Sequence, residues 1–158
     1  MATSTTSGRI KVKLTKTLAI DPGADQGWAI FNKGKLEKCG LGLPEDEDFK
    51  GIKAAIIEMP MIYPRSKAKP NDIITLAFRA GKTAGLLQVV LGVQVETVTP
   101  TTWKGQVPKE IHHARINKAL SVPELLILHT LTEGVPKTKA HNMIDAVGLG
   151  LYAVDRKV

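Results

Sequence analysis

The sequence predicts a mixed α/β fold built on one five-stranded sheet that opens with three antiparallel strands and carries helices on its flanks. Three short apolar runs come first, broken at Pro22-Gly23 and Lys33-Gly34 as tight connections between antiparallel neighbours are. Two further apolar runs are separated by a stretch of helical periodicity, which makes the sheet a mixed α/β one. Beyond them the chain reads as helices opened by Pro100, Pro108 and Val122-Pro123.

Taken in order, Met1 to Gly8 are small and polar and predict a flexible tail, which leaves residues 9–158 for a single domain. The first three strands are expected over Leu14 to Asp21, Gly27 to Asn32 and Lys35 to Leu41, and Glu45-Asp46-Glu47-Asp48 reads as a solvated loop or helix start. Ile52 to Glu58 is a fourth, buried strand. Asn71 or Asp72 is positioned to cap a helix in which Ile73, Leu76, Ala77, Ala80, Ala84, Leu87 and Leu91 recur on one face. Gly81 and Gly85 lie near that face; glycine weakens a helix, so two of them one turn apart suggest close approach of another backbone, in the sheet or in a second subunit. Val93 to Val98 is the fifth strand. Pro100-Thr101-Thr102 starts a short helix carrying Trp103, Pro108-Lys109-Glu110 a longer one and Val122-Pro123-Glu124 another. Gly134 to Lys139 reads as a loop, and Ala140 to about Asp155 as the last helix, with Met143, Ile144, Val147, Leu151 and Val154 as its apolar stripe.

Composition excludes several classes. A chain of 158 residues with 43% apolar content buries a proper core and is neither disordered nor stapled by disulfides. The lone Cys39 has no partner for an intramolecular bridge, and no cysteine–histidine spacing resembles a structural zinc site, so a reducing compartment fits. No charged-then-apolar leader and no apolar run long enough for a bilayer is evident, which predicts a soluble intracellular protein. Lys plus Arg exceed Asp plus Glu by 22 minus 15, or +7, favouring an anionic partner. Arg65, Lys67 and Lys69 follow Glu58, Lys104 and Lys109 frame the turn bearing Trp103, and His112, His113, Arg115 and Lys118 follow.

Against that positive background three acids stand out. Asp21 ends the first strand just before Pro22-Gly23, Glu58 ends the fourth just before Pro60, and Asp145 sits in the last helix beside apolar residues. Converging carboxylates repel unless something cationic neutralises them, and hard divalent cations with oxygen ligands do so best. The pattern points to a metal-dependent phosphodiesterase. Trp103 reads first as an anchor of its loop on the core and second as a stacking platform for an unpaired base. His112, His113 and His129 have no carboxylate or cysteine at ligand spacing and read as structural or DNA-facing.

The strand-Asp21-Pro22-Gly23 unit followed by Gly27-Trp28-Ala29-Ile30, the acid closing strand four and the Asp145-Ala146 pair of the last helix together resemble the RNase H-like fold, and within it the RuvC-type Holliday-junction resolvases. The segments Glu58-Met59-Pro60-Met61-Ile62-Tyr63-Pro64, Pro70-Asn71-Asp72 and Trp103-Lys104-Gly105-Gln106-Val107-Pro108-Lys109 look like the phage-borne branch of that family. The resemblance implies a sheet of three antiparallel strands followed by two parallel ones, and a homodimeric endonuclease using Mg²⁺ or Mn²⁺, two ions per active site, that makes symmetric nicks in branched DNA, four-way junctions above all. Its place would be the cytoplasm, that of the host cell if phage-encoded. By the same resemblance Asp21 would bridge both ions, Glu58 would hold the one near the leaving group, and Asp145 the one that activates water. Lys104, Lys109, Arg115 and Lys118, with the loop residues Arg65, Lys67 and Lys69, would contact DNA, and the helix containing Gly81 and Gly85 would form the dimer.

The family commonly has an acid or histidine three residues before the last aspartate, whereas this chain has Asn142 there and His141 one residue earlier. Both positions share the helical face of Asp145. His141 is favoured as a metal ligand or proton shuttle, because a neutral amide offers only an oxygen or a hydrogen bond. Two other functions remain open, a nuclease of the same fold acting on flap DNA or RNA and a non-catalytic junction-binding protein, whereas an ATPase of the actin and sugar-kinase class needs two such domains, for which 158 residues are too few.

Overall fold

A computed structural model describes residues 15–64 and 67–158, so the tail expected at 1–8 and the basic residue Arg65 lie outside the described residues. The strands are β1 (Lys16–Asp21), β2 (Gly27–Asn32), β3 (Lys35–Leu41), β4 (Ile52–Glu58) and β5 (Gln94–Val98). The helices are α1 (Pro70–Gly85), which runs on through a π turn over Leu86–Val90, α2 (Pro100–Trp103), α3 (Lys109–Ala119), α4 (Val122–Thr132) and α5 (Lys137–Ala153). The sheet order is β3-β2-β1-β4-β5, antiparallel across β1–β2 and β2–β3 and parallel across β1–β4 and β4–β5; the pattern of strand directions is the expected one.

β1 lies at the centre, and its side chains alternate between two buried layers. Leu18 and Ile20 pack with Trp28, Ile30, Ala55 and Ile57 beneath Ala80 and Leu87, which belong to α1 and its π turn. Ala19 points the other way and packs with Ile56, Val98, Trp103 and Leu149. Phe31 and Cys39 join Ile116, Met143, Val147 and Leu151 on that second side. Glycine lets α5 sit close: a Cβ on Gly27 would collide with the Asn142 backbone carbonyl, and one on Gly150 with the Phe31 ring. A bulkier residue at either position would lift α5 off the sheet.

Several boundaries differ from expectation. α1 starts at Pro70 with Lys69 as its N-cap, not Asn71 or Asp72, because the fixed φ of proline suits the first helical position. α5 begins at Lys137 after Pro136, so the loop expected through Lys139 is shorter. The α1 face is also less buried than its periodicity suggests: Ala80 and Leu87 are covered, but Leu91 is exposed, as are Ile74, Phe78, Val89 and Val90. Pro70–Val90 spans 21 residues and is long and apolar enough to cross a membrane by length and composition, which corrects the expectation that no run is. Here it lies along the sheet. A Cβ on Gly81 or Gly85 would meet nothing within 4 Å, so neither glycine is needed for contact with the sheet.

Candidate active site

Ile20 pairs with Ile57 in the parallel β1–β4 ladder, so Asp21 and Glu58 leave the sheet side by side at its carboxyl edge. That edge is where sheets with parallel crossovers hold ligands. The buried stripe of α5 that packs on the sheet brings Asp145 to the same edge. The three carboxylates feel one another: burial, then the charges of Glu58 and Asp145, push the Asp21 carboxyl up to about 7.

Two of the three have close partners. Oε2 of Glu58 accepts hydrogen bonds from Trp103 Nε1 at 2.6 Å and Lys104 Nζ at 3.1 Å. Oδ1 of Asp145 lies 2.8 Å from His113 Nε2, and Oδ2 lies 3.4 Å from Lys109 Nζ. Burial works against ionised Asp145, but the His113 hydrogen bond and the charges of Lys104 and Lys109 outweigh it and hold the pKa below the usual carboxylate value. Burial likewise works against charged Lys104, and Glu58 and Asp145 overcome it, keeping the ammonium protonated. Among the described residues no cation forms a salt bridge with Asp21. Three carboxylates thus share two lysines, Lys104 and Lys109.

Among the described residues no three His, Cys, Asp or Glu side chains stand close enough together to hold one metal ion. The donor chemistry nonetheless suits a hard cation: oxygen ligands, more carboxylates than lysines, and one carboxyl whose ionisation its neighbours oppose. A small cavity of about 140 Å³ opens beside Asp145, lined by Lys104, Val107, Lys109 and His112.

His141 and Asn142 part company. Asn142 Nδ2 donates to the Asp25 carbonyl at 2.7 Å, which ties α5 to the β1–β2 turn and commits the amide. The His141 ring stands 5.4 Å from that of His113, and burial with the charges of Lys109 and His113 lowers its pKa. Lys104 and Lys109 are on the carboxylates. Lys67, Lys69, Arg115 and Lys118 are exposed, and at roughly 100° per residue Arg115 and Lys118 leave α3 on sides other than the Lys109–His113 face. Among the described residues no salt bridge joins those four to the carboxylates, of which Glu58 and Asp145 pair with Lys104, Lys109 and His113.

His113 escaped the sequence reading, which sought a carboxylate nearby in the chain; its partner lies 32 residues on. The usable signal was its position one helical turn after Lys109. Trp103 is buried at 8% exposure, which fits the core-anchor reading and removes base stacking, but its bond to Glu58 was not anticipated.

No family model and no curated protein matches the chain. Among solved structures it is similar to Thermus thermophilus RuvC in complex with a Holliday junction substrate, at a TM-score of 0.57 and 17% identity over 87% of this chain and 91% of that one. A second T. thermophilus RuvC structure is 20% identical over 87% and 92% of the two chains, with a TM-score of 0.46. In strand order, strand direction and flanking helices, the chain has the RNase H-like fold of RuvC.

Proposed function

We propose that this protein is a metal-dependent endonuclease that cuts branched DNA, four-way junctions above all, by paired symmetric phosphodiester hydrolysis. The observation that carries the reading is the delivery of Asp21, Glu58 and Asp145 from β1, β4 and α5 to one sheet edge, with too few lysines to neutralise them. The substrate class is supported by a fold shared with a protein seen on a Holliday junction substrate. Mg²⁺ or Mn²⁺, two ions per site, would be held by Asp21, Glu58 and Asp145, with His141 beside them. Such ions supply Lewis acidity and a more acidic bound water.

The protein's own groups have distinct tasks. Glu58 and Asp145 present oriented oxygens, each steadied by a ring donor, the buried Trp103 or the half-buried His113. Lys104 and Lys109 offset carboxylate charge and offer donors to phosphate oxygens. His141, next to His113, is the group available to move a proton near neutral pH. Lys67, Lys69, Arg115 and Lys118 would hold the DNA backbone further out, and Arg65 would contact it as well. The protein would act in the cytoplasm, that of a host cell if it is phage-encoded.

Dimerisation would use α1. Ile74, Phe78, Gly81, Gly85 and Val89 follow one another at spacings of three or four and form one stripe. Phe78 is 73% exposed and Val89 85%, and both glycines face open space, as a close helix–helix approach requires. A monomer in sedimentation at micromolar concentration would remove this interface.

A second reading, a junction-binding protein without catalysis, is favoured by one observation: Lys104 and Lys109 already pair with Glu58 and Asp145 without metal. The test is incubation of the protein and Asp21→Asn with a labelled four-way junction, a matched duplex and a flap, under Mg²⁺, Mn²⁺ or chelator. Paired nicks in the junction alone, lost in the variant and in chelator, are expected. Cutting of the flap or of RNA instead would keep the site and change the substrate; tight binding with no cutting would leave the second reading.

A further inference from the structure

We infer that Trp103 is a positioning residue for Glu58, the rigid neutral donor that keeps this carboxylate aimed at the metal position while Lys104 exchanges between carboxylate and phosphate. This rests on the metal-dependent reading above.

The indole is fixed by packing. It lies among Ala19, Ile56, Val98 and Leu149, and the His112 ring meets it at 5.0 Å and an interplanar angle of 66°. A Cβ on Gly148 would come within 3.0 Å of indole Cζ3, so α5 approaches the ring closely. An indole N–H only donates, along a single direction in the ring plane, and when buried it needs a partner. That partner is Glu58 Oε2, at 2.6 Å.

The second donor on Oε2 differs in kind. The Lys104 side chain is 28% exposed, sits on a flexible stem and carries a charge, whereas the Trp103 residue is 8% exposed and neutral. A cation bound by Glu58 repels the ammonium but has no like charge to oppose in the indole. Both described side-chain donors fall on Oε2, which leaves Oε1 for the ion. Outer partners that hold a ligating carboxylate in this way are worth about 10–100-fold in metal affinity or activity.

The protein contains two tryptophans, so its ¹H–¹⁵N spectrum has two indole signals, which Trp28→Phe assigns. In the otherwise intact protein the Trp103 indole signal is expected to move in Glu58→Gln and to shift saturably as Mg²⁺ is added. In calorimetry, Trp103→Phe, which keeps the six-membered ring and loses the N–H, is expected to raise the Kd for Mn²⁺ by about 10–100-fold. If the native protein binds Mg²⁺ and Glu58→Gln does not, a Trp103 indole signal that stays indifferent to Mg²⁺ would overturn the inference even where Trp103→Phe does not fold. An unchanged Mn²⁺ Kd in folded Trp103→Phe overturns it too, with the nuclease reading intact. No divalent-cation binding by the native protein would bring down the metal-dependent reading first, and this inference with it.

Discussion

Two buried carboxylate centres in this molecule are built in opposite ways. Glu124, 3% exposed, accepts from the backbone N–H of Leu36 and Ser121 at 2.8 Å each, from Ser121 Oγ at 2.7 Å, and from both terminal nitrogens of Arg156 at 2.6 and 3.1 Å. Burial alone would favour its neutral form, but Arg156 and these donors win, and its pKa is pulled down to about 2. At the sheet edge Asp21 goes the other way, up to about 7, because burial and two like charges meet too little positive charge. A carboxylate whose every lone pair is answered locks structure; one left in excess of its cations keeps its affinity for something that is not part of the chain.

The largest break in this contrast comes from Asp21→Asn. It is expected to lower junction cleavage at least about 10³-fold, several kcal/mol of transition-state stabilisation, while leaving the metal-free protein as stable as before or more so. Cleavage assays with thermal melts of the same samples check both halves. At the other centre, Arg156→Ala strands Glu124 and frees the Ala119 and Gly34 carbonyls that Arg156 also binds. It should cost about 3–5 kcal/mol by urea denaturation, with cleavage per folded molecule unchanged. A mild cost would mean that Glu124 is less completely served than its geometry implies.

The pH dependences run in opposite directions. For Asp21 the folded pKa, about 7, lies above the ordinary aspartate value of 3.8, so its contribution favours the fold at low pH and is lost as pH rises through 7. For Glu124 the folded value, about 2, lies below 4.5, so its contribution is present above 4.5 and is lost as pH falls towards 2. Metal-free Tm should therefore decline from about pH 5 to about pH 7 and level off above, the decline should vanish in Asp21→Asn, and Mg²⁺ should raise Tm more at about pH 8 than at about pH 6. A decline that persists in the variant would place its origin elsewhere.

Much of this was legible in the sequence. The sheet followed from apolar runs and turn residues, and Asp21, Glu58 and Asp145 stood out because each acid ends or interrupts an apolar segment where an unpaired charge is costly. Their partners were not legible. Trp103 reaches Glu58 across 45 residues, and His113 and Arg156 reach Asp145 and Glu124 across 32 each, distances at which only packing decides who meets whom. Helix starts were misplaced at α1 and α5 because prolines, not the neighbouring polar side chains, set the first turn. The face of α1 was legible as apolar but not as uncovered, since periodicity registers hydrophobicity and is blind to what covers it.

The finest test of the contrast lies within one turn of α5, where sequence alone could not choose between His141 and Asn142. Asn142 belongs to the structural side: it holds the Asp25 carbonyl at 2.7 Å and packs on Gly23, fixing the turn that follows Asp21. Asn142→Ala should cost about 1 kcal/mol of unfolding free energy, the worth of one such bond. His141 belongs to the other side, since its described contact is the His113 ring 5.4 Å away. His141→Ala should leave stability within about 0.5 kcal/mol and lower cleavage, with the pH profile flattened near neutrality. Equal destabilisation by the two variants, with cleavage per folded molecule intact in both, would assign His141 to the same clamp as Asn142 and leave Asp21, Glu58 and Asp145 to act without it.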